Sequence, residues 1–194
     1  RRYRKLKPFM RRVLKDISYG CMQTDLDRDR LLSLGMDSGK VEVAGNLKYE
    51  IAAPGAIDAR TEAYRQLLGL LPTRFVVVAG STMKDEEPLV LAAFEMLRAA
   101  CSEAVLVLAP RHPERFREVE KLLSDRSVAY VKRSDLNPGT PRESQERQVV
   151  LLDSMGELAT LYALASVVFI GGSLVSTGGH NVLEPALFRK PILF

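Results

Sequence analysis

The chain has 194 residues, 46% of them hydrophobic, with a formal net charge of +4 and a mean hydropathy of −0.04. That is apolar material for one buried core, or for one domain plus part of another. No apolar run approaches the roughly 18 residues that cross a bilayer, no signal-peptide pattern is present, and Cys21 and Cys101 lack metal-ligand or framework spacing, which fits a reducing cytoplasm.

The charge is local. Residues 1–15 hold Arg1, Arg2, Arg4, Lys5, Lys7, Arg11, Arg12 and Lys15 and no acid, and the rest of the chain carries a net −4. Leu6, Phe9, Met10, Val13 and Leu14 recur among these cations at helical spacing, with Pro8 interrupting the segment. Such a segment can rest on anionic lipid, meet nucleic acid, or pack its apolar face inward.

Next, 25–34 reads as a helix closed by Gly35, and 41–44 as a short strand running into Gly45-Asn46. Residues 54–58 form a linker and 61–70 a helix. A regular alternation follows. Strands are expected at 75–79, 104–109, 128–131, 149–152 and 167–170, with helices at 86–100, 113–123 and 157–165 between them. Residues 134–147 are a polar loop, and 191–194 reads as a strand just beginning. Short, wholly apolar strands alternating with helices indicate an α/β fold with a Rossmann-like parallel sheet covered by helices on both faces.

Ligands of such sheets bind beyond the carboxyl ends of the strands. The polar residues gather there, in Gly80-Ser81-Thr82, Arg111-His112, 153–157 and 171–184. The last stretch is strand, glycine pair, polar loop, second glycine pair, then a helix start carrying Glu184. This order lets backbone N–H groups approach an anion, while Glu184 can accept from sugar hydroxyls. Gly80-Ser81-Thr82 can hold phosphate or carboxylate, or serve as a plain turn with an N-capping threonine. Arg111 can fork onto phosphate oxygens, and His112 can donate to phosphate or cap the next helix. Asp85, Glu86 and Glu87 read as a solvated acidic run favoured by the helix dipole. No Walker loop, nucleophile elbow, catalytic Cys/His pair or histidine metal spacing occurs.

Five ordered motifs carry a resemblance: Gly45-Asn46-Leu47-Lys48, Ala79-Gly80-Ser81-Thr82, Pro110-Arg111-His112-Pro113-Glu114-Arg115, Met155-Gly156-Glu157-Leu158, and Gly171-Gly172-Ser173 through Gly178-Gly179-His180-Asn181 to Leu183-Glu184-Pro185. They run over nearly the whole chain, and together it resembles the 3-deoxy-D-manno-octulosonic acid (Kdo) transferases, which move Kdo from CMP-Kdo to a lipid A precursor. Val182, where the family commonly has proline, and Leu152, where it often has glycine, depart from the pattern without replacing a contacting side chain.

The resemblance implies a GT-B architecture of two Rossmann-like domains. Residues 1–39 would end the N-terminal, acceptor-side domain, and 40–194 would be a truncated C-terminal donor-binding domain. No catalytic residue is then expected in this stretch, because the family's general-base glutamate belongs to a part of the N-terminal domain that is absent here. CMP and CMP-Kdo contacts are carried over to Arg111, His112, Met155, Gly156, Glu157, Asn181, Val182, Leu183 and Glu184. Gly80, Ser81, Thr82, Gly178 and Gly179 are further candidates for phosphate or Kdo contacts. The family implies inverting transfer without metal or cofactor, at the cytoplasmic face of the bacterial inner membrane. A lipid acceptor gives segment 1–15 a reason to face that membrane surface, and no nucleic-acid partner is expected. The rival readings are another GT-B nucleotide-sugar enzyme and, for this stretch alone, a CMP-binding module without catalysis.

Overall fold

A computed structural model describes residues 6–46, 59–137 and 148–194. The expected linker at 54–58, Leu47-Lys48, Arg1 to Lys5 and most of the polar loop before residue 148 lie outside the described residues. Contacts divide the chain into two compact units, Arg1–Ala52 and Ala53–Phe194.

The first unit holds helix α1 (Lys7–Lys15), strand β1 (Gly20–Met22), helix α2 (Asp25–Leu34) and strand β2 (Val41–Val43). The β1 and β2 strands pair in parallel, so residues 41–43 belong with the first unit by contact. Thr24 caps α2 by accepting from the Asp27 N–H at 3.2 Å. Gly35, at φ 104°, ends the helix while its own N–H and that of Met36 satisfy the last carbonyls. A small core of Leu14, Met36 and Val41 holds the unit together.

The second unit is a six-stranded parallel sheet in the order β5-β6-β4-β3-β7-β8. Its strands are β3 (Val76–Thr82), β4 (Val105–Pro110), β5 (Tyr130–Lys132), β6 (Val149–Leu151), β7 (Val167–Ile170) and β8 (Ile192–Leu193). Helices α3 (Ala59–Leu67), α4 (Glu87–Ala100), α5 (Phe116–Asp125), α6 (Leu158–Leu164) and α7 (Leu183–Leu187) complete it.

The strands read as unbroken apolar runs because both faces are covered. Val76, Val78, Val105, Val107, Val150, Val168 and Ile170 face the side holding Leu67, Leu68, Leu161 and Leu164. Their neighbours Ala79, Leu106, Leu108, Val149 and Leu151 face Leu91, Phe94, Val119 and Leu123 from α4 and α5. The period of two splits each strand between two cores. Leu106, Leu108 and Leu151 are fully buried, each such side chain contributing about 1.5–3 kcal/mol of transfer free energy.

One expected loop proves to be strand. Gly80, Ser81 and Thr82 continue β3, with Gly80 opposite Ala109 and Thr82 opposite Pro110 across a bulge. The chain runs from β3 to β4 on one side and places β7 on the other, so the carboxyl ends of β3, β4 and β7 surround the point where the strand order reverses. Open α/β sheets bind ligands at such a point.

Candidate functional site

A cavity of about 380 Å³ opens at that point, within the range of ligand pockets. Its walls come from four strand ends: Ser81 near the end of β3, Pro110 ending β4 and Arg111 just after it, Leu152, Ser154, Met155 and Gly156 after β6, and Ile170 ending β7, with His180, Asn181 and Glu184 beyond it. Ala109, Leu158, Ala159 and Tyr162 complete the lining.

Several carried-over residues meet here: Arg111, Met155, Gly156, Asn181 and Glu184, joined by Ser81. Arg111 is held by its backbone N–H, which donates to the Thr82 carbonyl at 2.9 Å. Its guanidinium makes no hydrogen bond or ion pair among the described residues, leaving an exposed cation on the cavity wall. Asn181 spends its Oδ1 on the Leu183 N–H at 3.0 Å, which shapes the start of α7. Glu184 lies in the first turn of α7, as expected.

The remaining candidates sit elsewhere. His112 is half-exposed and flanks Glu114, with Nδ1 3.9 Å from its carboxylate. Glu157 turns away from the cavity: Arg133 reaches it at 2.9 Å, and Ser154 Oγ donates to it at 2.6 Å. Burial alone would raise the Glu157 carboxyl, but the Ser154 and Tyr64 hydrogen bonds and the Arg133 charge outweigh it and hold the group below its ordinary range. Glu157 therefore fixes the loop that presents Met155 and Gly156. Val182 packs against the core, and Leu183 gives its N–H to Asn181.

Thr82 is fully buried, and its hydroxyl donates to Glu87 at 2.8 Å. Gly80 is buried in mid-strand, where a Cβ would collide with the Tyr162 hydroxyl. Gly178 and Gly179 hold φ of 92° and 74° and lie outside the cavity lining; the Gly179 N–H is taken by the Gly172 carbonyl at 2.7 Å. The left-handed backbone accounts for these two glycines.

The acidic run corrects the reading of a solvated cap. Glu86 and Glu87 are 0% and 1% exposed. Buried carboxylates need compensating donors, and both have them. Glu86 accepts from the backbone of Met83, Gly172 and Leu174, while Glu87 accepts from Thr82 and Arg115.

Sequence reasoning also missed Tyr162 and the position of His180. Tyr162 is 2% exposed, its phenol raised by burial and then by Glu184. His180 lines the cavity with a buried Nε2 that has no partner among the described residues. Burial, then Arg111, lowers its pKa and so favours the neutral imidazole. The signal for Tyr162 lay in Gly80: a glycine inside a buried strand marks the close approach of another group.

The cavity thus offers one unpaired guanidinium, one imidazole, a carboxylate at a helix start and exposed loop backbone. It suits a ligand with an anionic group and several hydroxyls.

Residues 1–51 match the family model described as 3-deoxy-D-manno-octulosonic-acid transferase (kdotransferase). A bifunctional glycosyltransferase/methyltransferase of Fusobacterium nucleatum is 38% identical over 193 residues, covering 100% of this chain and 29% of that protein. The 3-deoxy-D-manno-octulosonic acid transferase of Haemophilus influenzae is 33% identical over 192 residues, covering 99% of this chain and 44% of the other. Among solved structures, the C-terminal CMP-Kdo binding domain of WaaA from Acinetobacter baumannii superposes with a TM-score of 0.61 at 37% identity, over 71% of this chain and 69% of that one. The chain spans less than half the length of these two full-length relatives.

Proposed function

Because this chain belongs to the 3-deoxy-D-manno-octulosonic acid transferase family, we propose that its second unit binds CMP-Kdo and serves the transfer of Kdo in lipopolysaccharide biosynthesis. The observation that carries this reading is the unpaired Arg111 guanidinium in a cavity also lined by Met155, Gly156, Asn181 and Glu184. In it, Arg111 neutralises the CMP phosphate and stabilises the charge that develops as CMP leaves. Glu184 accepts from the ribose hydroxyls. The backbone of Met155 and Gly156 meets the cytosine edge, with Glu157 holding that loop rather than touching the nucleotide. Val182 and Leu183 support the start of α7, and the exposed His112, next to Arg111, adds a donor to the phosphate end of the site.

The domain assignment follows. The family match ends at residue 51 and the contact boundary falls after Ala52. Both support a border between the acceptor-side and donor-binding domains near residue 51 as an alternative to one at 39/40. The acceptor is a lipid A precursor and the anomeric carbon inverts, with no metal or cofactor besides the donor. The site of action is the cytoplasmic face of the bacterial inner membrane. Exposed Leu6, Phe9 and Val13, beside Lys7, Arg12 and Lys15 on α1, support lipid contact through the basic segment.

The test is calorimetric titration with CMP and UMP. Saturable binding that prefers CMP and falls about tenfold or more in Arg111→Ala supports the reading, as expected for loss of a charge-assisted bond. Equal binding of CMP and UMP by a folded chain would transfer the assignment to another GT-B donor.

A further inference from the structure

The glycine-rich loop after β7 is organised around a carboxylate from another part of the fold. Glu86 enters from the turn before α4, where it has no exposed surface. Its Oε2 accepts from the Met83 N–H at 2.8 Å and from the Gly172 N–H at 2.8 Å, while Oε1 accepts from the Leu174 N–H at 3.0 Å. The anion held by these loop N–H groups is therefore internal, and neither Gly172 nor Leu174 has its N–H free for a donor phosphate.

Gly172 passes this anchorage on. Its carbonyl accepts from the Gly179 N–H at 2.7 Å and from Thr177 Oγ1 at 3.2 Å, closing the loop on itself. A Cβ on Gly172 would meet the His180 ring at 3.2 Å, so the imidazole lies directly over this residue. His180 and the adjoining Asn181 then line the cavity. The order is Glu86, Gly172, second glycine pair, cavity wall.

We infer that Glu86 is a positioning residue for the donor site, setting His180 and Asn181 on the cavity wall through the backbone of Gly172 and Leu174. The inference rests on the donor-binding reading above for its consequence, though not for its geometry. Buried N–H groups must be satisfied, and removing their acceptor frees the loop to find other partners. The Glu86→Gln side chain keeps the volume but retains only one accepting oxygen. It turns an NH2 group toward at least one of the N–H donors that Glu86 serves.

Gly172→Ala perturbs the same relay from its other end, leaving Glu86 intact. Its Cβ would press on the His180 ring at a φ of 79°, which side chains rarely adopt. This second variant keeps the proposal decidable if Glu86→Gln does not fold.

The test uses NMR of the ligand-free chain followed by CMP titration. In both variants the His180 imidazole and Asn181 side-chain amide resonances should shift, while those of Tyr130, at the opposite edge of the sheet, stay in place. CMP affinity should fall about tenfold in Glu86→Gln, the size expected when one buried hydrogen-bond acceptor is lost, and should fall in Gly172→Ala as well. A folded Glu86→Gln protein with unmoved His180 and Asn181 resonances overturns the positioning role. So does Gly172→Ala with unchanged resonances. Shifted resonances with wild-type CMP affinity overturn the link to the donor. If wild-type protein binds no CMP, the donor reading fails, and the resonances alone still decide whether Glu86 positions the wall.

Discussion

Arg115 grips Glu87 with both ends of its guanidinium, Nη1 to Oε1 at 2.6 Å and Nη2 to Oε2 at 3.0 Å, around a carboxylate that is 1% exposed. The Thr82 hydroxyl donates to the same carboxylate, and the Thr82 carbonyl accepts the Arg111 N–H. This cluster therefore ties the end of β3 to the end of β4 and fixes the backbone that carries the cavity's free cation. Glu86, one residue earlier, ties the end of β3 to the loop after β7. Two adjacent glutamates thus frame opposite walls of one site.

Removing one partner from such a pair leaves a buried charge uncompensated. Arg115→Leu should destabilise the chain by about 3–5 kcal/mol, whereas Arg115→Leu combined with Glu87→Leu should recover much of that loss. Urea unfolding of both variants measures it. A double variant no more stable than the single would mean that Thr82 alone satisfies Glu87.

Gly80 carries a second prediction. Any Cβ there collides with the Tyr162 hydroxyl, so Gly80→Ala must push the ring toward the cavity or part the strands. A cost of about 1–3 kcal/mol is expected from overpacking, together with weaker CMP binding. Adding Tyr162→Phe removes the colliding oxygen and should recover much of both quantities, with two ring carbons still at 3.1 Å from the added Cβ. Thermal unfolding and CMP titration of the pair decide this.

The contrast between Gly80 and Glu86 shows what could be read from the sequence. The strands were legible because burial on two faces leaves continuous apolar runs such as 104–109, and the alternation with helices specified a parallel sheet. From that sheet the location of the site followed, since ligand loops belong at its carboxyl rim. The partners of Glu86 and Glu87 were not legible. Their burial depends on Gly172, Leu174 and Arg115, which are 28 to 88 residues away, and acidic residues at a helix start are usually solvated. Thr82 was misplaced for the same reason: a hydroxyl suited to phosphate is equally suited to a carboxylate that arrives from the next turn.

Glu157 makes a prediction about acid stability. Its carboxyl is held below the ordinary value of 4.5 in the folded chain, so the folded state binds fewer protons than the unfolded state in this range. The stabilisation is present above the unfolded value and is lost as pH falls through the folded one. Glu157→Gln should therefore show a shallower fall in unfolding free energy below about pH 4.5 than the wild type. Urea titrations at a series of pH values test this, and parallel acid limbs would show that Arg133 and Ser154 do not favour the ionised form.

His180 reports on where the donor phosphate sits. Burial lowers its pKa first, and the Arg111 charge lowers it further. A phosphate bound on Arg111 offsets that charge, so CMP should raise the His180 pKa. The complex then takes up a proton, and this contribution to CMP affinity grows as pH falls from the bound value toward the free one. NMR titration of the His180 ring with and without CMP measures the shift directly, separately from titration of the phosphate itself. In Arg111→Ala the free pKa should begin higher and the CMP-induced rise should shrink. A His180 pKa that CMP leaves unchanged would place the phosphate away from Arg111, and the guanidinium would then need another role on the cavity wall.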